Sequence, residues 1–154
     1  MARRKKWETG NVVEIELADG SFSYGLIVNE PLVAFTRDTF FKRPEISPKL
    51  FNTIAFQLWV MNSAIGKKGW PVIGDVQLKE VPISEAKFYR YDNISKNFYH
   101  YVDCINDIPS TREDCVGLEC AAVWQKNHVE DRLQSLKAGF ECKWEVSLRA
   151  ESKA

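Results

Sequence analysis

The sequence holds little from which a reaction centre could be built. Its 154 residues include two histidines, His100 and His128, and no nucleophile or oriented acid accompanies either. There is no G-x-S-x-G, H-E-x-x-H or P-loop pattern. The familiar hydrolase, metalloprotease and nucleotide-binding signatures are thereby excluded, and both histidines read as structural or surface residues. The four cysteines, Cys104, Cys115, Cys120 and Cys142, form no C-x-x-C pair. A four-cysteine zinc site has short paired spacings, so buried or half-buried reduced thiols are expected, with no metal and no cofactor. No apolar run approaches the roughly 20 residues of a membrane span. The basic head Met1–Lys6 is followed by Trp7-Glu-Thr-Gly-Asn11 and not by an apolar export segment. A cytoplasmic location is the expectation, with no membrane association and a frayed, solubilising N-terminus. Excess charge is absent too. Twenty-one basic residues balance twenty-one acidic ones, so no global field favours nucleic acid.

What the sequence does have is strand pattern. Val13, Ile15 and Leu17 alternate with Glu14 and Glu16, as in a half-buried strand. Asp19-Gly20 suits a tight hairpin turn, and Phe22, Tyr24 and Leu26 carry the apolar face of the return. Pro31–Thr36 reads as a third strand. Ser47-Pro48 has the form of a helix cap with Pro at the first position, so Lys49–Ile54 is expected to be a short helix. Phe56–Met61 reads as a central strand, and Trp70–Val76 as its return after the Gly66–Gly69 turn. Lys87–Asp103 forms a second hairpin about Asp92-Asn93. Leu118–Trp124 reads as a further strand.

One helix is well marked. Asn127 to Glu130 has capping-box form, Val129, Leu133 and Leu136 make a helical stripe, and Gly139 suits a left-handed C-terminal position. Cys142, Trp144, Val146 and Leu148 then alternate as a final strand. The expected fold is α+β: a strongly bent antiparallel sheet or partial barrel, with one main helix near the C-terminus. We expect a single domain over residues 1–154, with 1–6 and 149–154 as flexible tails.

Two features suggest a binding surface. The second hairpin is rich in tyrosine. Tyr89, Tyr91, Tyr99 and Tyr101 read as lying on one face, where exposed rings could stack bases or anchor a protein partner. Directly after it, Asp103, Asp107, Glu113, Asp114 and Glu119 face only Arg112. Such a run repels nucleic acid and steers a basic protein partner. Ser110 to Glu113 also has capping-box form. Packing and a solvated loop would explain both features without any partner.

The chain resembles the immunity protein 26 family of bacterial polymorphic toxin systems. The matching elements are Gly10-x-Val12-x-x-Ile15-x-Leu17-x-Asp19-Gly20 with Tyr24-Gly25, and Leu32-Val-Ala-Phe35. Trp59-Val-Met61, Gly69-Trp70 with Ile73-Gly74, and Ala122-Val-Trp124 with His128-Val-Glu130-x-Arg132 follow. The resemblance implies a non-enzymatic cytoplasmic antidote that binds and neutralises a cognate toxin, as in contact-dependent growth inhibition. It implies no catalytic residues. A nucleic-acid-binding small β-barrel and an enzyme with a diffuse active site are the alternatives. The balanced charge opposes the first, and only the two histidines and scattered carboxylates support the second.

Overall fold

The computed structural model describes residues 5–102 and 105–153. In chain order the elements are β1 (Asn11–Glu16), β2 (Phe22–Asn29), β3 (Leu32–Thr36), β4 (Ile54–Val60) and β5 (Val72–Asp75). There follow β6 (Lys87–Asp92), β7 (Asn97–Val102), β8 (Ile105–Ser110), α1 (Arg112–Cys115), β9 (Glu119–Cys120) and β10 (Val123–Trp124). α2 (Lys126–Ala138) and α3 (Lys143–Ser147) complete the order. The fold is α+β, as expected, with α2 the main helix. The strands lie in two sheets, ordered β10-β4-β3-β2-β1-β5 and β8-β7-β6-β9, and neither closes into a barrel. The residues divide into two compact units. The larger runs up to Ile83 and adds Val123–Phe140, and the smaller takes Ser84–Ala122 and the chain from Glu141.

In the larger unit the first hairpin forms in the expected register, with Val12 opposite Leu26 and Glu16 opposite Phe22. Gly20 takes φ +85° at its turn, a conformation closed to most side chains. The half-buried reading of β1 is corrected. β1 lies between β2 and β5 and is covered on both faces, so Val12, Val13 and Ile15 are fully buried and Glu14 is buried with them. On one face Val12, Tyr24, Leu26 and Ala34 pack against Leu50, Phe51 and Val81. On the other, Phe35 meets Phe56 and, edge-on at 5.7 Å, Trp70.

Local expectations shift for identifiable reasons. Pro48–Phe51 is a short 3₁₀ turn in place of the Lys49–Ile54 helix, and the Ser47 side chain makes no cap bond. The return strand β5 pairs with β1, not β4. Leu118–Trp124 is not one strand. It splits into β9 and β10, which run parallel to β6 and β4 in different sheets. The Asn127 capping box does not form, because α2 begins at Lys126 and leaves Gln125 as an N-cap without a side-chain bond. Its C-terminus is as read. Gly139 is left-handed, and the Gly139 and Phe140 amides donate to the Leu136 and Ser135 carbonyls.

In the smaller unit Tyr89, Phe98, Cys115 and Ala150 make the core, flanked by Tyr91, Leu118 and Cys120. The cap of α1 is Thr111, one residue after the expected Ser110, with its Oγ1 accepting from the Asp114 amide. The final strand over Cys142–Leu148 is corrected to helix α3. Seven residues of alternation are too few to fix a strand, and ion pairs at helical spacing support the helix. Arg149 pairs with Glu145 at the i,i+4 helical spacing (2.7 Å) and with Glu141 at 3.2 Å. Ala150 is buried in a 3₁₀ turn where a tail was expected.

Candidate functional site

A cleft of about 620 Å³ opens on the larger unit, beside the second half of β1. β5 pairs only with Asn11–Val13, and the last contact is the Glu14 amide donating to the Pro71 carbonyl at 3.1 Å. Past that point the edge of β1 is uncovered. Glu14, Glu16, Leu17 and Ala18 form one wall, Gly69, Trp70 and Pro71 another, and the face of α2 bearing Lys126, Glu130, Asp131 and Gln134 a third. Arg43 reaches in from the loop after β3. Gly69 permits the close approach, since a Cβ there would sit 2.0 Å from the Ala64 carbonyl oxygen.

Four carboxylates thus line the cleft against two cations. Glu14 receives the Arg43 Nε at 3.0 and 3.1 Å and the Tyr24 hydroxyl at 3.2 Å. A carboxylate this buried needs such partners, because stripping its water uncompensated costs several kcal/mol. The Arg43 guanidinium also lies 4.5 Å over the Phe22 ring. Glu130 accepts from the Trp70 indole at 3.0 Å and pairs with Lys126 at 2.6 Å. Glu16 is exposed, with no hydrogen bond or ion pair to any described residue. Gln134 donates its Nε2 to Asp19 at 3.4 Å, and its Oε1 is buried with no hydrogen-bond partner among the described residues. Lys137 pairs with Asp19 and stands 4.2 Å over Phe41, which is 71% exposed. Lys137, then Ser21, hold the Asp19 carboxyl well below its ordinary range.

Burial, and then the charge of Glu14, push the Tyr24 hydroxyl up to about 12. Folding therefore favours the protonated phenol. That stabilisation is intact below the ordinary tyrosine value of 10.0 and is lost as pH rises through about 12. Tyr24→Phe should remove this part of the alkaline decline. Urea midpoints of the two proteins, compared at about pH 9 and about pH 11, check it. An equal alkaline loss in both would exclude Tyr24 as the source.

The smaller unit carries the sequence-predicted residues, and it does not bring them together as expected. The register sets Tyr89 opposite His100 and Tyr91 opposite Phe98, while Tyr99 faces Arg90 and Tyr101 faces Phe88. Cross-strand partners share a face. The four tyrosines are therefore split, Tyr89 and Tyr91 on one face and Tyr99 and Tyr101 on the other. Tyr89 is fully buried and donates its hydroxyl to the Leu148 carbonyl, so it is corrected from anchor to core. Tyr91 packs on Phe98 at 4.7 Å, and Tyr99 lies under the Arg90 guanidinium at 4.5 Å. Glu113 and Asp114 are exposed in α1, and Glu119 is half-buried in β9. Asp107 lies on β8, and Asp103 falls outside the described residues.

His100 Nε2 is 3.0 Å from Ser110 Oγ and 3.3 Å from the Asp114 carbonyl, and His128 lies in the first turn of α2. Cys115 and Cys142 are buried free thiols and Cys120 a half-buried one, while Cys104 is outside the described residues. Burial pushes the Cys115 and Cys120 thiols up. Among the described residues no cluster of three or more His, Cys, Asp or Glu could hold a metal. No helix among them is long and apolar enough to cross a membrane.

The larger unit thus carries an acid-lined cleft on an α+β scaffold. The profile of the immunity protein 26 family matches residues 8–100, and the chain belongs to that family. No curated protein and no solved structure matches the chain. At the level the family defines, this is an immunity protein.

Proposed function

We propose that the protein is a cytoplasmic antidote that neutralises a cognate bacterial toxin by forming a 1:1 complex, as in polymorphic-toxin and contact-dependent inhibition systems. Membership of the immunity protein 26 family carries this reading. The match runs through β1–β6 and into β7, across parts of both units, which supports reading the chain as one functional domain. A nuclease acting in the cytosol fits best as the toxin. Such enzymes bind polyanions with basic clefts, and exposed carboxylates stand on both units, at Glu16 and Asp131 and at Glu113 and Asp114. The nucleic-acid-binding barrel is the weaker alternative, since neither sheet closes.

The test is a titration. The toxin domain encoded beside this gene should lose its activity on RNA or DNA when about one equivalent of the protein is added. Protection at well below one equivalent would point to turnover and overturn stoichiometric neutralisation. A toxin that forms pores or cleaves cell wall would overturn the nuclease assignment while leaving the antidote.

A further inference from the structure

We infer that the cleft beside β1 is the docking site for a guanidinium side chain presented by the toxin. This rests on the antidote reading and goes beyond it, because it moves the principal contact from the tyrosine hairpin to the larger unit. Three independent observations point there. The first is shape: about 620 Å³ of concavity is ample for one long side chain and falls within the range of small-ligand clefts.

The second is an acceptor without a donor. Gln134 Oε1 is buried and unpaired among the described residues. Turning the amide over would not help, because the oxygen would then face the Asp19 carboxylate that its Nε2 now serves. A buried acceptor left unmet costs about 1–3 kcal/mol. A donor arriving from outside relieves that cost.

The third is charge placement. Glu14 and Glu130 are committed to internal donors, whereas the Glu16 side chain has no partner among the described residues and stands exposed. Asp131 is exposed as well. With four carboxylates against Arg43 and Lys126 the cleft carries a net negative charge, which favours capture of the opposite sign. A guanidinium presents five donors in a planar fork, which can serve a carboxylate and an amide oxygen together. Arg43 shows the mode already, with its guanidinium group both on the Glu14 carboxylate and over the Phe22 ring. At the Gln134 end, Asp19 links Gln134 to Lys137, and Lys137 covers the exposed Phe41. An exposed ring beside a charged cleft is the composition of an interface hot spot. A divalent cation is the poorer occupant, because Arg43 and Lys126 already place two positive charges in the cleft.

The test has two arms. In the first, the neighbouring toxin domain is bound to wild type, to the double variant Glu16→Lys/Asp131→Lys, and to the smaller-unit control Glu85→Lys/Glu151→Lys, at two exposed carboxylates outside the acidic run. The cleft variant should associate roughly tenfold or more slowly at low salt, with the difference shrinking as salt rises, and the control should match wild type. If the cleft variant associates like wild type, the docking site is overturned and the antidote stands. If wild type itself neither binds nor protects, the antidote reading falls, and this inference with it. In the second arm, a hexa-arginine peptide is titrated into ¹⁵N-labelled protein. The Trp70 indole and the Glu16 and Gln134 amides should shift. Shifts confined to the hairpin or to α1 would overturn the assignment. Circular dichroism establishes that each variant is folded.

Discussion

Trp70→Ala is expected to destabilise the larger unit by about 3–5 kcal/mol, the range for emptying a buried aromatic site. Trp70 is among the largest fully buried side chains, and its ring meets Phe35 edge-on. Truncation leaves a cavity that the surrounding strands cannot close, because Gly69 beside it already lies against the Ala64 carbonyl. It also strips Glu130 of its indole donor, leaving only Lys126. Trp70→Phe separates these effects. It keeps most of the ring volume and loses the hydrogen bond, so about 1–3 kcal/mol is expected. Urea unfolding followed by far-UV circular dichroism measures both. A Trp70→Ala protein within about 1 kcal/mol of wild type would mean that the residue is not the keystone its burial indicates.

Elements whose signal is local were legible before the structure. The first hairpin needs only alternation and Asp19-Gly20, and the end of α2 needs only Gly139, whose backbone must turn left-handed there. Elements decided by distant contacts were not. Glu14 looks like a solvent-side residue in Val13-Glu14-Ile15, because alternation alone implies one wet face. Arg43, 29 residues away, and the Tyr24 hydroxyl close on the Glu14 carboxylate and make the buried charge tolerable. Cys142–Leu148 fails for a related reason. Its alternation is too short to separate period 2 from period 3.6. The Glu141, Glu145 and Arg149 spacing was the available sign of a helix.

The cleft shows the same limit. Gly69, Trp70 and Glu130 all stand in the elements that carry the family resemblance, yet sixty residues separate Trp70 from Glu130. Nothing local says that they meet. The faint sequence sign was the run Lys126, Glu130 and Gln134 at helical spacing, flanking the Val129 and Leu133 stripe. The acidic segment after the tyrosine hairpin drew attention instead because its carboxylates are adjacent in sequence. Adjacency is visible in a sequence, whereas convergence belongs to the fold.

Tyr89→Ala is the other large expected effect, and it decides what the tyrosine hairpin is for. Tyr89 is fully buried in the core of the smaller unit with Phe98, Cys115 and Ala150, and burial pushes its hydroxyl far above the ordinary tyrosine range. Its hydroxyl ties β6 to the Leu148 carbonyl at the end of α3. Removing the ring should cost about 3–5 kcal/mol, nearly all of it within this unit. Tyr89→Phe should cost about 1–3 kcal/mol, because the Leu148 carbonyl loses its donor while the packing remains. Tyr99 is half-buried, and Tyr99→Ala forfeits mainly the contact with the Arg90 guanidinium, worth about 0.5–2 kcal/mol. Hydrogen exchange at the β6, β7 and β9 amides reads the three variants separately. Protection should collapse in Tyr89→Ala, fall modestly in Tyr89→Phe and hold in Tyr99→Ala. Equal and small losses at both positions would return Tyr89 from the core to the surface. With the expected order, any effect of Tyr99→Ala on toxin dissociation comes from contact with the partner, because its own unit remains folded.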